Sequence, residues 1–390
     1  MARFRSILFW IHLVAGVFSA TVVLIMSVTG VALTYQKQMT LWADLRGVNL
    51  TPPDGVARLT NDSLVALVVA REGKSPSSVV WRSFTYAPVE FQFGREGRQF
   101  VSPYTGEVLS TGSTGMREFF TKMTDWHRWL AMSGDSRPTG RKITGYSNLA
   151  FLVLVLTGMY LWWPRTLRWN AFKPVLWFRR RLSPKAREFN WHNVIGIWSA
   201  IPLAVVVASG AVISFPWASD LVYKAAGEAP PPRAEAPAPA RPEARGGGAG
   251  GTGAEGGSRG VEPVAVGDPA ALAAQQMEDW RAMSLTWPRN GKAPLVFSVD
   301  RGMGGEPQKK GSLTVARSGE IESWQPFAEQ SAGRRARSWM RFLHTGEALG
   351  VVGQTIAGIV SLGGAFLVYT GIALSLRRFA AWRRRTAGAA

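Results

Sequence analysis

The sequence contains four histidines in 390 residues, and two of them lie in copied contexts. The stretches "IHLVAGVFSA" and "WHNVIGIWSA" share the pattern H-x-V-x-G-[VI]-[FW]-S-A, with His12 and His192 lying 180 positions apart. The other two are His127 in "TDWHRWLAMSG" and His344 in "RFLHTGEALG". A neutral imidazole can ligate a metal, relay a proton or hydrogen-bond to a neighbouring helix. The copied contexts favour a chemical role over packing alone.

Long apolar runs predict that the chain crosses a membrane four times. Four stretches carry no Asp, Glu, Lys or Arg, namely residues 6–36, 149–164, 191–219 and 348–376. A helix rises about 1.5 Å per residue, so about 20 apolar residues cross the hydrocarbon core. The second stretch reaches this length by including "ITGYSN" upstream. The first is too long for a cleaved signal peptide, so it is expected to be retained as a transmembrane helix.

The distribution of charge predicts the topology. Residues 1–6, 164–190 and 377–390 together hold 15 Lys/Arg and one acid, whereas the two long segments between spans hold 30 basic and 25 acidic residues. Basic residues concentrate in short cytoplasmic loops beside spans. We therefore expect both termini and residues 165–190 to be cytoplasmic, and residues 37–125 and 220–340 to face outward. The formal charge of +19 then gives no support to nucleic-acid binding.

The absence of cysteine excludes several kinds of site. Iron–sulfur clusters, thiolate zinc sites, disulfides and covalent c-type haem attachment all require cysteine. The sequence also lacks a P-loop, a dinucleotide-binding glycine motif and H-E-x-x-H. Any chemistry must therefore use histidine, carboxylates or a non-covalent cofactor. The acids and tyrosines of the outward segments form no constellation, so the catalytic residues are unknown.

The duplication extends through both halves of the chain. "SVTGVALTY" and "VASGAVISF" end the first and third apolar runs, and "LVLTGMYLW" and "LVYTGIALS" lie in the second and fourth. Each outward segment has a helical pattern followed by strand patterns: "TNDSLVALVVAREG" precedes "SVVWRSFT", "VEFQFG" and "QFVSPYTGEVLS", and "DPAALAAQQMEDW" precedes "PLVFSVD" and "SLTVARSGEIES". The turns "YTGEV" and "RSGEI" place glycine where a tight turn needs positive φ. We predict an α-helical integral membrane protein with two parallel repeats related by an axis along the membrane normal, each carrying a small α+β domain.

The segment 228–260, "EAPPPRAEAPAPARPEARGGGAGGTGAEGGSRG", has a different composition. Pro, Ala and Gly dominate it, and it offers no apolar pattern that could form a core. We predict a disordered linker.

The topology groups the histidines into two pairs. His12 and His192 lie at the cytoplasmic ends of the first and third spans, whereas His127 and His344 precede the second and fourth spans on the outward side. Two imidazoles facing each other suit a bis-histidine haem, because the porphyrin leaves two axial positions on the iron. Zinc or copper usually takes three or four protein ligands, and no third His or Cys is present. Histidines that only pack against a neighbouring helix are the alternative.

Each span also carries one pair in which Thr or Ser precedes Gly. In the first and third spans this pair lies 17 residues after the histidine, which is about 25 Å along a helix. Small residues there would make room for a planar porphyrin, and ordinary helix–helix packing through small residues is an equal alternative. The pairs are Thr29-Gly30, Thr157-Gly158, Ser209-Gly210 and Thr370-Gly371.

Several motifs in order resemble the PepSY-associated transmembrane helix family. They are H-x-x-x-G entering the first span, "DWHRWL" before the second, L-T-G-x-Y-L-W-W-P leaving it and "TGEVL" in the outward segment. The resemblance covers the chain except the linker, which departs from the family pattern. Members of that family include iron-regulated inner-membrane proteins and haem-containing reductases of ferric siderophores, such as the ferrioxamine reductase. The resemblance implies two b-type haems, with His12, His127, His192 and His344 as axial ligands of the haem iron.

With the resemblance, the expected organisation extends over the whole chain of a multi-pass protein of the bacterial inner membrane. The expected segments are transmembrane helix 1 (1–36), periplasmic PepSY-like domain 1 (37–125), an outer haem helix with transmembrane helix 2 (126–164), a cytoplasmic loop (165–190), transmembrane helix 3 (191–219), the linker region (220–260), periplasmic PepSY-like domain 2 (261–338), an outer haem helix with transmembrane helix 4 (339–376) and a cytoplasmic tail (377–390).

We interpret the chain as a di-haem b electron-transfer protein that passes electrons to the periplasm. The first choice of acceptor is a ferric siderophore, which would make the protein a haem-dependent oxidoreductase, and the electron donor is unidentified. One alternative is a membrane-anchored PepSY binding or regulatory module that acts on a peptidase or other partner without redox chemistry. A transporter is disfavoured, because no charged residue lies inside any apolar run.

Overall fold

The structure is a computed structural model that describes residues 2–232 and 268–387, apart from residues 50, 85, 165, 167, 289–292 and 303. The predicted linker lies almost entirely outside the described residues. The chain forms two units: residues 1–35, 119–250 and 336–390 make a helical unit, and residues 36–118 and 251–335 make a sheet-containing unit.

Most of the described residues are helical. The helices are α1 (Ala2–Leu33), α2 (Gln36–Leu45), α3 (Asn61–Glu72), α4 (Thr114–Trp129), α5 (Arg137–Trp162), α6 (Trp169–Leu176), α7 (Pro184–Ser214), α8 (Pro216–Ala225), α9 (Pro269–Gln275), α10 (Ala332–His344) and α11 (Gly350–Ala387).

Four of these helices confirm the predicted spans. Among the described residues, α1, α5, α7 and α11 are long and apolar enough to cross a membrane. They pack as a bundle in which α1 lies chiefly against α5 and α11, and α7 lies against the same two helices. The helices α1 and α7 therefore occupy one diagonal. Large apolar side chains such as Phe18, Ile201 and Val352 are exposed on these helices, as expected for residues that face lipid.

The bounds of three segments differ from the prediction. The helix α7 begins at Pro184, seven residues before the charge-free run, because Pro at the first helical position and Ser183 before it suit a helix start. Residues 220–225, which were assigned to the linker region, instead form the end of α8. The expected cytoplasmic loop contains the short helix α6.

Close backbone contacts hold α4 and α10 to the spans that follow them. A Cβ at Gly140 would overlap the carbonyl oxygen of Trp129, and a Cβ at Gly353 would overlap that of Gly346. The hydroxyl of Thr144 also donates to the carbonyl of Arg128 at 2.9 Å. Trp129 and Gly346 each lie two residues after a histidine, so these contacts fix where His127 and His344 enter the bundle.

The two long segments between spans contribute four strands each to one antiparallel sheet. The strands are β1 (Ser78–Arg82), β2 (Val89–Gln92), β3 (Arg98–Val101), β4 (Val108–Ser110), β5 (Ala282–Thr286), β6 (Leu295–Asp300), β7 (Lys310–Val315) and β8 (Ile321–Pro326). Their spatial order is β4-β3-β2-β1-β5-β6-β7-β8, so the segments join where β1 pairs with β5, with Val80 opposite Ser284.

Alternating side chains build the core of this unit on one face of the sheet. Val79, Phe91 and Phe297 are fully buried there together with residues of α3 and α9, which fits strands that have one face buried. Thr60 caps α3 and Asp268 caps α9 through side-chain oxygens that accept backbone N–H groups. Gly106 and Gly319 have positive φ, which confirms both predicted turns. The strand β5 was not predicted.

The start of α3 contains a carboxylate that opposes folding when it is ionised. Burial, and then the charge of Asp268, raise the pKa of Asp62 to about 6. An unfolded chain ionises this group at lower pH, so the free energy of unfolding should fall as pH rises from about 4 to about 6. We expect Asp62→Asn to raise the midpoint of thermal unfolding at pH 7.5 and to weaken its pH dependence in that range. Scanning calorimetry of the purified protein measures both.

Asp54→Asn is the matched control, because Asp54 is exposed in the loop before α3. It should leave the pH dependence of the midpoint as in the unaltered protein. An equal shift in the two variants would contradict the assignment to the buried site.

The close packing of Gly140 gives a second prediction. Gly140→Ala should destabilise the helical unit by about 1–3 kcal/mol, because the added methyl must displace the Trp129 carbonyl in a packed turn. Gly115→Ala is the control, since nothing lies within 4 Å of a Cβ at this helical position, and it should stabilise slightly. Denaturant unfolding followed by circular dichroism compares them; equal stability of the two variants would refute the packing role.

Candidate histidine-paired sites

The helix bundle brings His12 and His192 together at one end. Their rings lie on the diagonal helices α1 and α7, with ring centres 6.3 Å apart and ring planes at 85°. This is the pair that the sequence predicted. We call it the inner pair.

The same arrangement occurs towards the other end of the bundle. His127 near the end of α4 and His344 at the end of α10 have ring centres 6.3 Å apart and ring planes at 57°. We call this the outer pair. The structure therefore joins the four predicted histidines into the two predicted pairs.

A threonine on a neighbouring helix anchors three of the four rings. The Nδ1 atom of His12 lies 2.9 Å from Thr157 Oγ1 on α5, and that of His192 lies 2.9 Å from Thr370 Oγ1 on α11. The Nδ1 atom of His127 lies 3.0 Å from Thr29 Oγ1 on α1. Each histidine is thus held by a helix other than its own.

The hydroxyl hydrogen bonds identify the protonated ring nitrogen. Thr157 donates to the Val153 carbonyl at 2.6 Å, and Thr370 and Thr29 donate in the same way to the carbonyls four residues before them. Because each hydroxyl has one proton, its oxygen can only accept from the imidazole. Nδ1 therefore carries the proton and Nε2 carries the lone pair.

The fourth ring is anchored differently. His344 Nδ1 donates to the main-chain carbonyl of Val206 at 2.8 Å. Ser209, which stands where the other spans have threonine, donates to the carbonyl of Val205 at 2.6 Å. A carbonyl can only accept, so His344 also has its proton on Nδ1.

The glycines of the Thr/Ser-Gly pairs complete these seats. A Cβ at Gly158 would lie 3.3 Å from Cε1 of His12, and a Cβ at Gly210 would lie 3.0 Å from Cε1 of His344. Gly371 and Gly30 face the Cε1 atoms of the other two rings in the same way. The predicted role of the Thr/Ser-Gly pairs, which is to leave space for a planar porphyrin, is therefore incomplete. Each pair forms the seat of one histidine.

The donor set fits an iron porphyrin. Among the described residues, every hydrogen bond of the four rings uses Nδ1, which leaves Nε2 available. A metal–nitrogen bond is about 2 Å long. Two imidazoles that bound one metal ion from opposite sides through Nε2 would have their ring centres separated by two such bonds plus the distance from Nε2 to the centre of each ring. This sum is close to the observed 6.3 Å between ring centres. No group of three or more His, Cys, Asp or Glu that could hold a metal exists in the described ranges. Two nitrogen donors suffice only where a macrocycle fills the remaining positions.

A small apolar cleft of about 50 Å³ adjoins the outer pair. Besides His127 and His344, its lining residues are Val23, Met26, Ser27, Asn148, Phe151, Leu203, Val206, Val207 and Ser361. Asn148 is buried, and its side-chain amide donates to the Val207 carbonyl at 2.8 Å. Apolar side chains from α1, α5 and α7 thus form most of the wall beside the outer pair.

Burial keeps the outer imidazoles neutral. Desolvation lowers the pKa of His127 to about 4, and the charge of His344 contributes in the same direction. Desolvation also lowers the pKa of His344, against its hydrogen bond to Val206. Both rings are neutral at pH 7, which is the form that ligates a metal.

The four histidines are recognisable from the sequence, but the groups that orient them are not. The roles of Thr157, Thr370 and Thr29 as Nδ1 acceptors follow only from the packing of neighbouring helices. The sequence does contain a signal for these acceptors, because each of the three threonines precedes a glycine in a duplicated motif. The polar cleft residue Asn148 stands out only as an amide within a span. The backbone acceptor at Val206 has no sequence signal.

Comparison with known proteins identifies the family. No curated protein matches the chain. The family model described as the PepSY-associated TM region matches residues 9–378, which include all four spans and all four histidines. The chain belongs to this family of membrane proteins.

Proposed function

We propose that the protein is an inner-membrane electron-transfer protein that holds two b-type haems, one at each histidine pair. The observation that carries the proposal is the pair geometry: two rings 6.3 Å apart at each site, with Nδ1 engaged. Each haem, when bound, supplies a one-electron ferric/ferrous couple. The chain itself holds the axial nitrogens, fixes their tautomer and surrounds them with apolar helices that exclude water.

The duplicated order of elements supports the topology and the two parallel repeats in this proposal. In each half, a span that carries a histidine leads to two short helices and four strands, which a histidine-bearing helix and a second span follow. We assign both termini to the cytoplasm and the sheet-containing unit to the periplasm, where its halves are PepSY-like domains of two parallel repeats. Electrons then move from the inner pair to the outer pair.

The two pairs occupy different depths in the membrane. His127 sits at Thr29, which lies 17 residues after His12 on α1, so the pairs are separated by about 25 Å along that helix. A donor at the cytoplasmic or membrane side and an acceptor in the periplasm would each meet the nearer pair. This spacing suits transfer across the bilayer.

The acceptor that we propose first is a ferric siderophore. Its hard oxygen ligands bind Fe³⁺ strongly and hold the softer, less charged Fe²⁺ much less well. Transfer of one electron to the chelated Fe³⁺ therefore releases iron without any bond being made by the protein. The donor is a partner protein, a quinol or a diffusible reductant.

Histidine variants test the haem assignment. We expect about two haems per chain, extractable by acid–acetone because no cysteine can hold them covalently. His12→Ala and His192→Ala should each remove the same single haem, and the double variant should lose no more, because one haem needs both ligands. A pyridine haemochrome assay against protein concentration measures the ratio. Asn193→Ala is the control, since its side chain bonds only within its own helix.

Three outcomes would contradict parts of this proposal. If a variant that carries both His12→Ala and His127→Ala lost only one haem, the pairing would be wrong. A colourless protein would favour a membrane-anchored module without redox chemistry. Haems that stay fully reduced in liposomes when ferric siderophores are added outside would refute siderophore reduction.

Removal of an Nδ1 acceptor gives a separate prediction. In Thr370→Val the ring of His192 loses its hydroxyl acceptor, which lowers the basicity of Nε2 and favours the ferrous state. The midpoint potential of the inner haem should rise, and its affinity should fall by about tenfold. Spectroelectrochemical titration measures the potential. Ser375→Ala on the same helix should change neither quantity, because its hydroxyl donates only to Gly371, and equal shifts in both variants would rule out the anchor.

A further inference from the structure

Five arginines of the helical unit lie on α4, α5 and α10, the helices that carry or adjoin the outer pair. Arg128 follows His127 directly, and Arg337 and Arg341 lie at helical spacing before His344 on α10. The other two, Arg137 and Arg141, lie in the first two turns of α5. We call these five residues the outer arginine cluster.

Neighbouring aromatic and polar groups orient these side chains. The guanidinium carbons of Arg128 and Arg137 lie 4.5 and 3.6 Å from the ring centre of Trp129. Arg141 donates to the carbonyl of Ser214 at 3.3 Å, and Arg337 donates to the hydroxyl of Ser219 at 3.0 Å. None of these partners carries a charge.

The cluster lacks carboxylate partners. In the part of the chain that the structure describes, no ion pair includes any of the five residues. Other arginines are paired: Arg117 binds Asp44, and Arg377 binds Glu188. Arg128 and Arg137 both lie over the ring of Trp129. Arg137 and Arg141 are four residues apart on α5, and Arg337 and Arg341 are four residues apart on α10, so the guanidinium groups within each of these helices are neighbours.

Helix electrostatics accounts for only part of this concentration of charge. Arg128 and Arg341 lie in the last turns of α4 and α10, where the helix dipole favours cations. Arg137 lies at the N-terminus of α5, where the dipole disfavours them. In the proposed topology the cluster lies on the periplasmic side, where short loops carry fewer basic residues than on the cytoplasmic side. Arg128, Arg141 and Arg341 are exposed. An anion arriving from outside would compensate the charge.

We propose that the outer arginine cluster is the docking site of an anionic, carboxylate-bearing ferric chelate that accepts electrons from the outer pair. This inference rests on the proposed function and narrows its substrate class. Guanidinium groups bind carboxylates through paired hydrogen bonds, and several together attract an anion over a distance. The cluster holds the chelate beside His127 and His344.

The redox step transfers one electron and makes no covalent bond. The chelated iron would be reduced from Fe³⁺ to Fe²⁺ by the one electron that a ferrous haem, if held by His127 and His344, would supply, and that haem would be left ferric. In the assay dithionite supplies that electron beforehand. The carboxylates stay ionised, so no proton is taken up or released by the arginines.

Ferric citrate is the probe for the kinetic test. The protein is reduced with stoichiometric dithionite in zwitterionic nanodiscs, and haem reoxidation is followed by stopped flow. The second-order rate should fall about tenfold or more as salt rises from about 0.01 M to about 1 M, because the Debye length shortens from about 30 to about 3 Å. A cationic ferric trihydroxamate should show no such fall.

Paired variants locate the effect. Arg337→Gln with Arg341→Gln should lower the ferric citrate rate about tenfold at low salt. Arg384→Gln with Arg385→Gln, in the exposed last turn of α11, should leave it unchanged. Gallium(III) citrate, which is not reduced, should bind the unaltered protein and bind the Arg337/Arg341 variant about tenfold less tightly in calorimetry.

The outcomes separate this inference from the proposed function. Equal rates with anionic and cationic chelates would overturn the inference but leave electron transfer intact. Equal affinity of gallium citrate for the unaltered protein and the Arg337/Arg341 variant would do the same. Loss of the outer haem spectrum in the arginine variant also overturns it, since the cluster would then hold the cofactor's own carboxylates. The rates are also measured in nanodiscs that contain anionic lipid. If the arginine variant differs from the unaltered protein only there, the cluster binds lipid headgroups and the inference is overturned. A protein without haem refutes the proposed function, and the gallium measurement still decides whether the cluster binds the anion.

Discussion

The hydrogen bond from histidine Nδ1 to an acceptor on a neighbouring helix is the interaction on which both sites depend. It decides which nitrogen keeps its lone pair, and it orients the ring. At His12, His127 and His192 the acceptor is a threonine hydroxyl whose own proton is already donated to its helix. The tautomer is thus determined by the geometry of a helix turn. A buried imidazole without this acceptor would be free to rotate or to exchange its proton between nitrogens.

These hydrogen bonds also connect the bundle in a defined order. The helix α1 carries His12 and provides the seat of His127, and α7 carries His192 and provides the seat of His344. The helices α5 and α11 seat His12 and His192. Because α1 and α7 lie on a diagonal, each pair can close only when all four spans are packed. Packing of the bundle and formation of the two sites are therefore the same event.

Local patterns in the sequence predicted the elements that depend on local physics. Charge-free runs marked the spans, and glycines with positive φ marked the turns at Gly106 and Gly319. The pairing of β1 with β5 was not predictable, because strands this far apart in sequence carry no local signal of their register. The strand β5, "AMSLT", also lacks the run of β-branched residues that marked β1. The threonine acceptors were not predictable for a similar reason, because a hydroxyl can accept a hydrogen bond from a histidine of another helix only when the two helices are packed together.

The arginines beside the two sites are partnered differently. At the inner end Glu188 lies one turn before His192 and offsets Arg377 through two hydrogen bonds of 2.7 and 2.8 Å. The outer arginine cluster has no such carboxylate in the described residues. Positive charge near a redox centre favours its reduced state, because the reduced form carries one positive charge less, and the effect is strong where the dielectric constant is low. Under the proposed function, the outer arginine cluster would therefore raise the reduction potential of a haem held at the outer pair. An electron at this site would be stabilised beside the cluster that is proposed to hold its acceptor.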